Sequence, residues 1–199
     1  MKEKNYIIGM SNNEISKKYM EIVIPEIKRV TFNDVQLWEA TTPETLPEGP
    51  LKFNKTKPTK MTPIPKELSP TEKAVWYSHY KLWKYIAQNV ENCWVFEHDV
   101  DLSKINVLFP TINKHLMTAR NKGCMECYYI TPHAAKLISS IAEKEQIYYQ
   151  VDGFVYYLIK SMDKIKNISS TQLLPIEQLT HLGNTIDHLP SSATCPNQE

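Results

Sequence analysis

The sequence predicts an α/β fold, a single domain with a mostly parallel sheet flanked by helices. Short apolar runs that read as buried strands alternate with stretches of helical periodicity. Several of those helices open on recognisable capping signals. The 199 residues (23.1 kDa) suffice for one sizeable core and leave little room for a second.

Asn5-Tyr6-Ile7-Ile8-Gly9-Met10 is an apolar run ending near a Gly, which suits a buried first strand. Ser11 and Glu14 have capping-box spacing, and Ile15, Tyr19 and Ile22 then recur on one helical face. Pro25 should end or bend that helix, leaving Arg29–Phe32 as a second strand and Val35–Ala40 as a third. Seven of the thirteen Pro fall between Thr41 and Pro70, where a regular helix or central strand is not expected. Residues 51–66 of this loop hold five Lys and no acid. They read as a solvated connector or as a mobile cationic flap beside an anionic ligand.

Order returns at Ser69, an N-cap followed by Pro70 at the first helical position and Glu72 closing a capping box. Val75, His79, Leu82, Trp83 and Ile86 form its apolar stripe, to about Asn89. Cys93–Phe96 is a short buried strand, and Cys127–Ile130 another. Thr131 and Pro132 open a helix through Ile141, and a further helix starts near Asp152. The domain is expected to span 1–190, with a polar tail at 191–199.

A formal net charge of +1 hides a basic first half and an acidic second, both too mild for a nucleic-acid coat. Arg29 and Arg120 are the only arginines, so base reading through bidentate Arg is not expected. No apolar run reaches the ~20 residues of a membrane span, and no signal-peptide pattern opens the chain, so a cytoplasmic protein is expected. Four Cys make no disulfide framework in such a chain. Cys124 and Cys127, with His133 beyond them, have half the spacing of a zinc site but no second pair. Trp76, Trp83, Tyr128 and Tyr129 suit either the core or stacking on a base or sugar.

The most informative cluster is Glu97-His98-Asp99-Val100-Asp101, directly after a predicted strand. Three carboxylates in five residues repel one another unless solvent, protons or a cation relieve them. At the carboxyl end of a strand they stand where open α/β sheets bind ligands, and their oxygens suit Mn2+ or Mg2+. An acidic surface turn would look the same. Phosphate-loop, dinucleotide-binding and serine-hydrolase signatures are all absent. A metal-dependent enzyme using a phosphate-bearing donor remains.

Ser69-Pro70-Thr71-Glu72, Ser78-His79, Leu82-Trp83 and Trp94-Val95-Phe96-Glu97-His98-Asp99-Val100 resemble glycosyltransferase family 25, the lipopolysaccharide-type sugar transferases. Gly123, Tyr128–Thr131, Ala134–Leu137, Val151-Asp152-Gly153 and Pro175–Gln178 are similar to later segments of that family, in the same order. Two departures stand out. His98 replaces the middle Asp of a Glu-Asp-Asp, and Gly9-Met10-Ser11-Asn12 replaces Asn-Leu-x-Arg.

The resemblance implies a GT-A-like fold and metal-dependent, inverting transfer from a nucleotide-sugar donor, such as a UDP-sugar, to an acceptor hydroxyl. It implies Asp99 and Asp101 as metal ligands, with His181 as a further contact or merely a surface His. Ser78, His79, Glu97, His98 and Gln178 are implied on the donor side, although His79 also reads as a hydrogen-bonded core residue. Asp152 is implied as the catalytic base, although an N-cap carboxylate has the same signature. The family acceptor is a saccharide. The alternative is hydroxymethylated cytosine in phage DNA, its phosphates met by Lys52, Lys55, Lys57 and Lys60. A catalytically dead sugar-nucleotide binding module is a third reading.

Overall fold

The structure is a computed structural model that describes residues 3–58, 64–89, 92–109, 115–119, 124–166, 169–171 and 177–178. Its strands are β1 (Lys4–Gly9), β2 (Val35–Glu39), β3 (Lys52–Phe53), β4 (Cys93–Glu97), β5 (Val100–Asp101), β6 (Leu116–Thr118), β7 (Cys127–Ile130), β8 (Gln146–Ile147), β9 (Ser169–Thr171) and β10 (Glu177–Gln178). The helices are α1 (Glu14–Thr31), α2 (Pro70–Asn89), α3 (Pro132–Lys144) and α4 (Val151–Lys166). A six-stranded sheet runs in the order β2-β1-β4-β7-β6-β9. The β1–β2, β1–β4 and β6–β9 pairs are parallel, and β7 alone runs against its neighbours. The α/β class expected from the sequence is the one observed.

Strand alternation divides the core. Tyr6, Ile8, Val95, Tyr128 and Ile130 face α2, α3 and α4, whereas Ile7, Trp94, Phe96, Cys127 and Tyr129 lie in the cluster with α1. Trp76, Trp83, Tyr128 and Tyr129 are all core residues. The capping box at Ser69 forms: Ser69 Oγ accepts from Glu72 N at 3.1 Å and Glu72 Oε2 from Ser69 N at 2.7 Å.

Helix α1 corrects two expectations. Its N-cap is Asn13, whose side chain accepts from Ser16 N, and not Ser11. The helix also runs through Pro25 and absorbs Arg29–Thr31, so no strand forms there. Pro25 and Glu21, the residue whose carbonyl it leaves without a helical donor, both face solvent, while Tyr19, Val23, Ile27 and Val30 bury the opposite face. The Pro-rich segment is less loose than a free flap. β3 pairs with β8, Asn54 N donates to Ile147 O at 2.9 Å, and Thr56 N donates to Lys66 O at 2.8 Å.

Cys93 and Cys127 are free and buried, and Cys124 is disulfide-bonded. His133 is exposed on α3, its ring beside His115. No described helix is long and apolar enough to cross a membrane. The 191–199 tail lies outside the described residues.

Candidate active site

Between β1 and β4 the strand order reverses, because the chain leaves β1 toward β2 on one side and β4 lies on the other. Such a reversal opens a crevice at the carboxyl ends of the two strands. Gly9 ends β1 there, and the turn from Glu97 to Asp101 ends β4. His98 N donates to Ile8 O at 3.0 Å and Ala40 N to Gly9 O at 2.8 Å, binding the three strand ends together. A Cβ on Gly9 would lie 2.6 Å from Met20 Sδ and 3.4 Å from His98 Cβ. Gly9 thus packs directly under the Met20 side chain of α1 and beside His98 of the acidic turn.

The pleat separates the acidic turn into faces. Glu97 shares the α2 side with Val95, while His98 turns to the α1 side, its ring 5.8 Å from that of Tyr19. Behind Glu97 stands a polar chain that begins deep in the core. Trp83 Nε1 donates to Tyr128 Oη at 3.0 Å, His79 Nδ1 is 3.0 Å from the same oxygen, and His79 Nε2 is 3.1 Å from Glu97 Oε1. His79 is 1% exposed. Burial pushes its pKa down to about 3, against a smaller opposing effect from the Glu126 charge, so the ring is neutral at pH 7. Burial, with the charges of Asp99 and Glu126 adding, holds the Glu97 carboxyl well above the usual carboxylate range.

Asp99 therefore lies close enough to Glu97 to act on its charge, and Asp101 accepts from Ser103 N at 2.9 Å. β10 pairs antiparallel with β5, setting Gln178 opposite Val100 and Glu177 opposite Asp101. The fold thus brings the backbone of Gln178, distant in sequence, to the acidic turn. His181 lies outside the described residues. Among the described residues no group of three His, Cys, Asp or Glu side chains is arranged to hold a metal ion.

The family model described as glycosyltransferase family 25 (LPS biosynthesis protein) matches residues 2–121 of the 199. The chain belongs to glycosyltransferase family 25. The matched stretch includes both strands that form the crevice and the whole acidic turn, and it stops short of Asp152, Gln178 and His181. A solved glycosyltransferase involved in the glycosylation of the major capsid of PBCV-1 is similar over 86% of this chain and 82% of that one, at 10% identity and a TM-score of 0.45. No curated protein matches the chain.

The remaining site residues of this family 25 glycosyltransferase fall in two places. Ser78 is buried on α2, where its hydroxyl accepts from Thr41 N at 2.9 Å and donates to Ala74 O at 2.9 Å. Both bonds are internal, so Ser78 fixes the loop leaving β2 at the rim of the crevice. Asp152 lies in the first turn of α4, whose entry is pinned to the start of α2. Trp76 Nε1 donates to Tyr149 O at 2.9 Å, and the Gln150 side chain donates to Glu72. Helix α2 runs antiparallel to β4, so both helix starts stand at the carboxyl edge of the sheet.

β3 carries Lys52 to the same region, opposite Gln146. Lys55 is exposed, Lys57 Nζ sits 4.3 Å from the centre of the Tyr148 ring, and Lys60 lies outside the described residues. Sequence reasoning missed Glu126 and the linkage of Trp83 and Tyr128 to the site. Their part depends on the antiparallel register of β4 with β7, which sets Val95 opposite Tyr128. No local pattern encodes that register.

Proposed function

We propose that this glycosyltransferase moves a sugar from a nucleotide-sugar donor, a UDP-sugar, to a hydroxyl of a saccharide, with inversion and with help from Mn2+ or Mg2+. The observation that carries the reading is the acidic turn at the reversal of strand order, within the matched family segment. Glu97, Asp99 and Glu126 gather there closely enough to oppose each other's ionisation on Glu97. An all-oxygen site of this kind fits a hard divalent cation that takes one or two protein carboxylates and completes its shell with substrate phosphates.

Asp99 and Asp101 would hold the cation, which supplies positive charge beside the diphosphate leaving group. Gln178 and His181 contribute from the C-terminal segment. Glu97 bonds the ribose or fixes the turn, and His98 packs the turn against α1. Asp152, at the edge on which the acceptor arrives, takes the proton of the attacking hydroxyl opposite the departing diphosphate. Lys52 and Lys55 line that approach.

Incubation of UDP-glucose or UDP-galactose with Mn2+ and a panel of oligosaccharides tests the reading. The expected result is metal-dependent UDP release, with a product of inverted anomeric configuration by NMR. A product of retained configuration would remove Asp152 as base. Transfer to hydroxymethylated DNA in place of every saccharide would replace the acceptor, and binding without turnover would make the chain a sugar-nucleotide binding module.

A further inference from the structure

The chain Trp83–Tyr128–His79–Glu97 has a direction, and the direction fixes a tautomer. An indole N–H can only donate, so Tyr128 Oη accepts from Trp83 Nε1 across 3.0 Å. Tyr128 is fully buried, and its own hydroxyl hydrogen must find an acceptor. His79 Nδ1, 3.0 Å away, is that acceptor. A neutral imidazole that accepts at Nδ1 carries its hydrogen at Nε2. Nε2 then donates to Glu97 Oε1 across 3.1 Å. The opposite tautomer would leave the phenol hydrogen without a place and aim a ring lone pair at a carboxylate.

We propose that Tyr128 and Trp83 are positioning residues of the active site: they hold His79 as the Nε2–H tautomer, whose hydrogen bond fixes the Glu97 carboxylate at the floor of the crevice. A neutral donor orients the Glu97 carboxyl without bringing a charge of its own into the acidic turn. Two aromatic residues, one on α2 and one on β7, thereby act on donor binding without touching the donor. The inference about donor binding rests on the nucleotide-sugar reading above, whereas the tautomer stands on the hydrogen bonds alone.

The test uses the full chain labelled with 15N in histidine, and UDP with Mn2+ as the binding probe. At neutral pH, long-range 1H–15N correlations should assign His79 as the Nε2–H form, and Tyr128→Phe, which removes the hydrogen bond to the Nδ1 lone pair, should shift the Nδ1 resonance. An Nδ1–H signal in the wild type, or an Nδ1 resonance indifferent to Tyr128→Phe, overturns the proposal. A glutamine amide nitrogen reaches about where Nε2 stands, and an asparagine amide about where Nδ1 stands. His79→Gln should therefore keep UDP affinity within about threefold of wild type, while His79→Asn loses about tenfold or more, the scale of one hydrogen bond to a charged group.

Equal affinities in two folded variants overturn the positioning role. Should Tyr128→Phe fail to fold, the wild-type spectrum and the Gln/Asn contrast decide. If the wild type does not bind UDP at all, the nucleotide-sugar reading and the donor role fall together, and the spectra still decide the tautomer.

Discussion

Replacing Ser78 with Ala separates a structural role for this hydroxyl from direct contact with the donor. Thr41 is 4% exposed, and its N–H donates to Ser78 Oγ at 2.9 Å. Without that oxygen a buried donor is left with no acceptor, which costs about 1–3 kcal/mol. The second bond, to Ala74 O one turn back, adds little, because such bonds compete with the helix's own ladder. Alanine is the better helix former by about 0.5 kcal/mol, which offsets part of the loss.

The expected net loss is about 1.5 kcal/mol, and at about 2–4 °C per kcal/mol for a domain of this size the midpoint should fall by about 3–6 °C. Urea unfolding gives the free energy, scanning calorimetry the midpoint, and titration with UDP the affinity. Since Ser78 acts through the loop after β2, UDP affinity should weaken only modestly. Unchanged stability with a large loss of UDP affinity would refute the argument and return Ser78 to the donor.

Three further outcomes are expected. Asp99→Asn and Asp101→Asn should each abolish Mn2+-dependent UDP release with circular dichroism and melting unchanged, and full activity in excess chelator would exclude the metal. Asp152→Asn should lower kcat far more than it weakens UDP binding, since the lost interaction belongs to the transition state; normal turnover would leave Asp152 as a helix-terminus residue. The buried, neutral His79 titrates at about 3 when folded and near 6.5 when unfolded, so its contribution is present above about pH 6.5 and is lost as pH falls toward 3, by up to about 1.4 kcal/mol per unit. Glu97, raised in the folded state, acts in the opposite sense, favouring the fold at low pH and losing that contribution as pH rises. The stability difference between wild type and His79→Gln should therefore shrink on acidification from about pH 6 to about pH 4, and parallel curves would contradict a buried neutral ring.

Long elements were legible in the sequence because their signals are local. The capping box of α2, Thr131-Pro132 before α3 and the apolar runs of β1, β4 and β7 all form as read. The misreading at Pro25 has a local cause too. A proline is a breaker by local rules, whereas α1 tolerates Pro25 because that face of the helix is solvated. The two-residue strands β3, β5, β8 and β10 carry no periodicity at all. They follow from tertiary docking, which also decides that Lys52 and Gln178 come to the edge where the acidic turn lies.

The acidic turn shows why composition at a site differs from its geometry. In sequence Glu97, His98, Asp99 and Asp101 form one cluster, and a single ligand shell is the simplest reading. β4 gives successive side chains to opposite faces, and at its end Glu97 goes to the α2 side while His98, the first residue of the turn, goes to the α1 side. Glu97 is taken by His79, and His98 by the side of the sheet that holds Tyr19. Asp99, in the turn, and Asp101, in β5, lie beyond β4, and they are the pair proposed for the cation. The family's middle Asp is the position that faces α1 here, where an aromatic ring against Tyr19 suits the packing better than a carboxylate. His98 is thus a change in how the turn is anchored, its ring packed against Tyr19 of α1.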